Sequence, residues 1–326
     1  MRPFTPRRWL GHGHVMTVWC WAARRTIALP EPEARFFQVT PDTQVLAHCY
    51  WQSERRNHPT LLALHGLEGS SAAHYMRGLA GKALRAGFNA VLLNQRNCGG
   101  TEHLGPGLYH SGLIDDAALV IRELAGTDGI DRVVAAGYSL GGNLALRLAG
   151  THSSTDLPQL KAICAVSPVL ELEQCVRALE RGSNFAYQWN FVRNLKARMR
   201  RKNACFPGRF DLSRLDRVRT VRQFDAAYTA PFFGFESAED YYHRAAALRV
   251  VEHIRIPALV ITAADDPFVP VEPFRDPQLT GNPNIKLIVT PHGGHCGFLG
   301  DPDGAGDDGY WAESSIIEFA RAHATD

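Results

Sequence analysis

Val133-Val134-Ala135-Ala136-Gly137-Tyr138-Ser139-Leu140-Gly141-Gly142-Asn143 joins a short apolar run to a glycine-rich turn, and the turn leads into Leu140, Leu144 and Leu148 at helical spacing. The run is rich in Val and Ala and reads as a fully buried strand. It ends in Gly137-Tyr138-Ser139-Leu140-Gly141, a G-x-S-x-G pattern. Strand, sharp turn and helix is the context in which that pattern presents a nucleophilic serine. The glycines have a steric reason. A serine on so tight a turn sits in strained backbone, and its neighbours carry no side chain where strand and helix crowd each other. The plainer reading is a glycine-rich strand-to-helix turn with an incidental serine. A base, an acid and an oxyanion site in the right chain order decide between the two.

Outward from this stretch, apolar β-branched runs alternate with helical patterns, which predicts an α/β fold: a mostly parallel eight-stranded sheet with helices on both faces. Upstream, residues 36–40 and 45–51 flank Pro41-Asp42-Thr43 as an antiparallel hairpin, and strands follow at 60–65 and 89–93. Met76, Leu79, Ala80 and Ala83 mark one helix face, and Leu113, Ala117, Val120 and Leu124 another. Downstream come strands at 162–166, 258–263 and 284–290 and a closing helix at 311–322. The alternation lapses near residue 169, so residues 169–250 read as a helical lid insertion in a single domain. The core is then 31–168 with 251–326, preceded by an N-terminal arm or helix over 1–30.

Composition narrows the classes. Of 326 residues, 45% are hydrophobic and 21% charged, which is globular usage, and a net charge of +2 makes the whole molecule no obvious polyanion binder. Seven cysteines, an odd count without a C-x-x-C pair, read as reduced thiols in a cytoplasmic protein. The basic start lacks the apolar core of a signal peptide. The apolar-leaning run from Val15 to Ala23 is nine residues long, where a membrane span needs ~20. Trp9, Trp19 and Trp21 beside Arg7, Arg8, Arg24 and Arg25 read first as an amphipathic helix folded back on the domain, and second as a weak membrane-surface contact. The lid has a basic run from Arg193 to Arg222, with eleven Lys or Arg against two acids. Such runs are mostly solvated helix faces; lipid headgroups are the second reading, and no recognition motif supports a nucleic-acid partner. His12 and His14 lack a third ligand nearby, the acidic loop 301–308 lacks the closing Glu of a calcium loop, and Gly78 and Gly81 lack the dinucleotide spacing. No metal and no cofactor is expected. Nothing in the pattern fixes an oligomeric state.

The chemistry then rests on groups that serve Ser139. Serine at neutral pH is a poor nucleophile and needs an adjacent base oriented by a third group. For a serine on this kind of turn the acid and then the histidine follow along the chain. Residues 260–263 run out into Asp265 and Asp266, and Pro291-His292-Gly293-Gly294-His295 follows the last strand, both at strand carboxyl ends. Asp265 and Asp266 are neighbours, so only one can face the histidine. Asp266-Pro267-Phe268-Val269-Pro270 favours Asp266, which leaves Asp265 as a turn-capping carboxylate. His295, freed to bend inward by two glycines, is favoured over His292. Two backbone donors are needed for the oxyanion: the N–H of Leu140, after the nucleophile, and that of Leu67 in Leu64-His65-Gly66-Leu67-Glu68-Gly69-Ser70. His65 reads as a brace for that loop.

These residues resemble the YheT-like branch of the α/β-hydrolases, relatives of fungal medium-chain ester synthases and of membrane-anchored mammalian abhydrolases. The resemblance rests on residues 64–71 with Tyr75, on Asn94-Gln95-Arg96-Asn97-Cys98-Gly99-Gly100, and on Tyr109-His110-Ser111-Gly112. It rests also on the Ser139 turn, Ala264-Asp265-Asp266-Pro267 and the His292–His295 loop. It implies a serine hydrolase with Ser139, Asp266 and His295 as its triad. The implied partner is a small-molecule acyl ester, of short to medium chain or a monoacylglycerol, with acyl transfer to an alcohol as the alternative. A non-catalytic binding protein on the same fold is the reading from another class. Asn97 stands where relatives often have glycine, and the chain is expected to lack the mammalian anchor.

Overall fold

The sheet carries its most apolar segments at its centre. The computed structural model describes residues 1–304 and 306–324. Eight strands lie in the order β1-β2-β4-β3-β5-β6-β7-β8: β1 (Glu33–Thr40), β2 (Thr43–Tyr50), β3 (Thr60–Leu64), β4 (Asn89–Leu93), β5 (Val133–Tyr138), β6 (Leu160–Val166), β7 (Ala258–Ala263) and β8 (Ile285–Thr290). β2 pairs antiparallel with both β1 and β4, and the other described pairings are parallel. β3, β4 and β5 are buried at every residue, as parallel strands covered on both faces must be, whereas β1 and β2 alternate as a half-solvated edge hairpin does.

Strand pleating divides the core into two layers. Leu61 and Ala63 of β3 and Val134 and Ala136 of β5 point to the face covered by α2 (His74–Arg85) and α11 (Trp311–His323). Leu62 and Leu64 with Val133 and Ala135 point to the face covered by α3 (Asp115–Asp128) and α4 (Leu140–Thr151). Each layer is a continuous apolar cluster, and burial at ~25 cal/mol per Å² is the main favourable term for such a sheet. α1 (Gly13–Ala22) lies apart from both, packed through Met16 and Cys20 on Leu10, Leu299 and Tyr310.

Between β6 and β7 the chain leaves the sheet for α5 (Leu172–Leu179), α6 (Phe185–Cys205), α7 (Val221–Phe224), α8 (Ala230–Phe233) and α9 (Ala238–Ala245). α10 (Pro277–Thr280) then lies between β7 and β8. The basic run of the insertion is not simply a solvated face. Arg198 is buried against Glu68 at 2.8 Å, and the Lys202 ammonium donates to the backbone carbonyls of Glu102 and Gly105. Arg222 ties together Glu173, Glu180 and Glu239. The acidic loop 301–308 likewise departs from a freely solvated one, because Asp307 and Asp308 pair with Arg2, Arg25 and Lys82. In both places a charge enters the interior only where a partner stands ready. No helix among the described residues is long and apolar enough to cross a membrane.

Candidate active site

The β5–α4 turn holds Ser139 at φ 56° and ψ −118°, a conformation that costs a residue with a side chain of order 1–3 kcal/mol. The glycines around it follow from contact distances. A Cβ on Gly137 would lie 1.9 Å from the Gly141 carbonyl oxygen, and one on Gly141 would lie 2.2 Å from that of Leu64. Both positions therefore exclude every other residue. Hydrogen bonds lock the turn: the Ser139 N–H donates to Val166 O at 2.9 Å, and its own carbonyl accepts from Asn143 N–H.

Two later loops meet at the same end of the sheet. The Asp266 carboxylate is fully buried and accepts from His295 Nδ1 at 2.8 Å, while its second oxygen accepts the N–H groups of Phe268 and Val269 at 3.1 and 2.9 Å. Asp265 turns away. It accepts from Gly294 N–H at 2.9 Å and contacts His292 Nδ1 at 3.3 Å, so the two Asp–His pairs are separate. Burial alone would push the His295 pKa down, but the Asp266 carboxylate against Nδ1 overrides it and holds the pKa above the usual histidine value. The Phe268 ring packs against the imidazole, tilted by 44°, at 4.1 Å between ring centres.

The β3–α2 loop supplies the facing wall. His65 is fully buried; its Nε2 accepts from Gln95 N–H at 3.1 Å and its Nδ1 donates to Gly66 O at 2.7 Å. Burial pushes its pKa down to about 4, so it is neutral, and it braces the loop. Gly66 packs against Ser139, where an added Cβ would come within 3.2 Å of the serine Cβ. Among the described residues, the N–H groups of Leu67 and Leu140 donate to no protein acceptor. Leu140 is the first residue of α4, where an unpaired donor and the helix dipole both favour negative charge. Leu67, Ser139 and Leu140 open on one cavity of about 80 Å³, whose far wall comes from the insertion through Leu172, Val176 and Phe191.

The fold has counterparts. Residues 59–302 match the sequence model described as alpha/beta hydrolase fold. The chain belongs to the α/β-hydrolases. Within that family it falls in the YheT-like branch: it is 33% identical over 299 residues to the YheT esterase candidate of Escherichia coli (strain K12), covering 91% of this chain and 87% of that one. This hydrolase is 27% identical to Phospholipase ABHD3 of Mus musculus over 87% of its own length and 72% of the relative's. It is 30% identical to Monoacylglycerol lipase of Saccharomyces cerevisiae over 81% of its own length and 59% of the relative's. Among solved structures, the Pyrococcus furiosus esterase Pf2001 superposes with a TM-score of 0.60 at 17% identity, covering 93% of this chain and 99% of that one, which is a likeness of fold.

One contact to the site was not read from the sequence. The N-terminal helix of this hydrolase lies on the acid and histidine loops. A Cβ on Gly13 would fall 1.8 Å from the Asp265 carbonyl oxygen. Thr17 Oγ1 donates a hydrogen bond to Gly13 O at 2.7 Å and accepts one from the His295 N–H at 2.8 Å. Ser167 Oγ accepts the next N–H, that of Cys296, at 3.1 Å. The sequence carried a trace of this, a glycine and a threonine four residues apart on one helix face, without anything to say what they face. His12 and His14, weighed as metal ligands, instead stack on each other, and His14 bonds the Tyr187 hydroxyl at 3.1 Å.

Proposed function

We propose that this hydrolase cleaves carboxylic esters of short- to medium-chain acids, monoacylglycerols included, with Ser139 as nucleophile, His295 as base and Asp266 as acid. The observation that carries the reading is the 2.8 Å hydrogen bond from His295 to a fully buried Asp266 carboxylate, at the sheet end where a serine is held at φ 56°. As Ser139 Oγ attacks the ester carbonyl carbon, His295 Nε2 takes its proton and Asp266 stabilises the imidazolium that forms. The N–H groups of Leu67 and Leu140 receive the charge on the carbonyl oxygen. His295 returns the proton to the leaving alkoxide, and the alcohol departs. Water then attacks the acyl-enzyme by the same route and regenerates the Ser139 hydroxyl.

The cavity supports the short end of the acyl range. At about 80 Å³, and walled by apolar side chains of the insertion, it accommodates a short acyl chain without movement of the lid side chains. Relatives named as an esterase candidate, a phospholipase and a monoacylglycerol lipase support ester hydrolysis as the reaction class. Ser139→Ala is expected to lower turnover of p-nitrophenyl butyrate by at least ~10⁴-fold with the fold retained. Substantial turnover in a folded Ser139→Ala protein contradicts the reading.

A further inference from the structure

α1 has a second face, turned away from the histidine loop. Seven of the nine large apolar side chains left exposed among the described residues belong to residues 9–21 and 185–189. They are Trp9, Val15, Val18, Trp19 and Trp21 on and before α1, and Phe185 and Trp189 on the first turns of α6; Trp21 and Phe185 are 71% and 70% exposed. The two groups adjoin. The Trp9 and Trp19 rings meet at 4.4 Å, and the His14–Tyr187 hydrogen bond joins α1 to α6. From Tyr187 a chain of ring contacts runs through Phe268, at 5.1 Å, to His295. This apolar face therefore borders the candidate site, and its concentration is more than scattered surface hydrophobics produce.

Charge identifies the occupant. Residues 7–25 and 181–193 contain Arg7, Arg8, Arg24, Arg25, Arg181 and Arg193, and neither stretch holds an Asp or Glu. Arg25 is committed to Glu313 and Asp308, and Arg7 reaches Asp301 at 3.9 Å, while Arg8, Arg24, Arg181 and Arg193 are exposed without an acidic partner among the described residues. Arg193 lies over the Trp189 ring at 5.4 Å. A second copy docked across a two-fold axis would set these arginines against their own kind. Tryptophans flanked by arginines match a lipid–water boundary with anionic headgroups, where indole rings settle at headgroup level and guanidinium groups meet phosphate.

We propose that α1 and the start of α6 form a docking surface for an anionic lipid interface, which sets the mouth of the active site against the layer that holds acyl esters. The surface needs no turnover to be tested. Sedimentation with phosphatidylcholine vesicles, with and without phosphatidylglycerol, measures it directly. The wild-type protein is expected to bind the phosphatidylglycerol vesicles at least ~10-fold more tightly than the plain ones at 0.15 M salt, and to lose that preference at 1 M salt, where the Debye length falls from ~8 to ~3 Å. Trp19→Ser/Trp21→Ser/Trp189→Ser is expected to lose at least ~10-fold in affinity for both vesicles, with turnover of a soluble short-chain ester unchanged. Arg8→Glu/Arg24→Glu/Arg193→Glu, which keeps every aromatic, is expected to lose the anionic preference alone. Failure of the wild-type protein to bind overturns the proposal, and so does equal binding by wild type and both variants. So does a wild-type dimer in sedimentation velocity that the tryptophan variant converts to monomer, because a second copy then owns the face.

Discussion

At the scale of single residues, the two aspartates divide their work by hydrogen bonding. Asp266 faces Nδ1 of His295, and Asp265 holds the Gly294 amide. Asp266→Asn leaves an amide where the imidazole needs an acceptor and a counter-charge, and kcat is expected to fall by ~10⁴-fold. Asp265→Asn keeps an acceptor for the Gly294 amide and is expected to cost less than about tenfold. Steady-state kinetics on both variants check this, and an equal loss in the two removes the distinction. The pH profile follows from the same pair. Protonated His295 cannot take the serine proton, so kcat/KM falls as pH drops through its pKa. That pKa is raised by Asp266, so the acid limb belongs above the ordinary histidine value of ~6.5. The stability sign is opposite: a raised folded pKa stabilises the protein fully below ~6.5, and the contribution is lost as pH rises through the folded value. A limb at or below ~6 contradicts the assignment.

At the scale of elements, α1 holds the backbone of His295, the proposed base, through one hydroxyl. Thr17→Val leaves the half-buried His295 amide without a partner, a loss of ~1 kcal/mol. The expected result is kcat down by at least ~10-fold with KM little changed, and recovery in Thr17→Ser; KM rising while kcat holds would assign α1 to substrate binding instead. A second tie runs from the insertion to the loop of Leu67, the proposed oxyanion donor. Glu68 follows Leu67 at φ 58° and meets Arg198 of α6, both of them buried. Arg198→Met strands a buried carboxylate, for an expected ~3–5 kcal/mol of destabilisation in denaturant melts. The double change Arg198→Met/Glu68→Gln is expected to recover part of it. These ties explain what the sequence does and does not reveal. Strand cores such as β4 and β7 are written as continuous apolar runs, and their ends match the expected ones at residues 89–93 and 258–263. The serine turn, Asp266 and His295 are legible because the proposed chemistry calls for fixed residue types at strand ends. Arg198 and Thr17 do not, because a basic run looks the same whether its members face water or Glu68, and a helical threonine carries no mark of a loop 278 residues away.

At the scale of the whole molecule, the sheet end holds the proposed reacting groups and the insertion walls the cavity beside them. The far wall of the cavity is Leu172, Val176 and Phe191, all from residues 169–250. A chain-length series is expected to peak near four carbons, and Phe191→Ala to move the peak to longer chains by deleting wall volume; an unchanged optimum places the acyl chain elsewhere. The central claim is that Ser139 is the nucleophile, and covalent capture tests it most directly. Intact-protein and peptide mass spectrometry after reaction with a fluorophosphonate is expected to show one adduct per chain, on the peptide containing Ser139, and none in Ser139→Ala. An unmodified wild-type protein, or an adduct that persists in folded Ser139→Ala, contradicts the account.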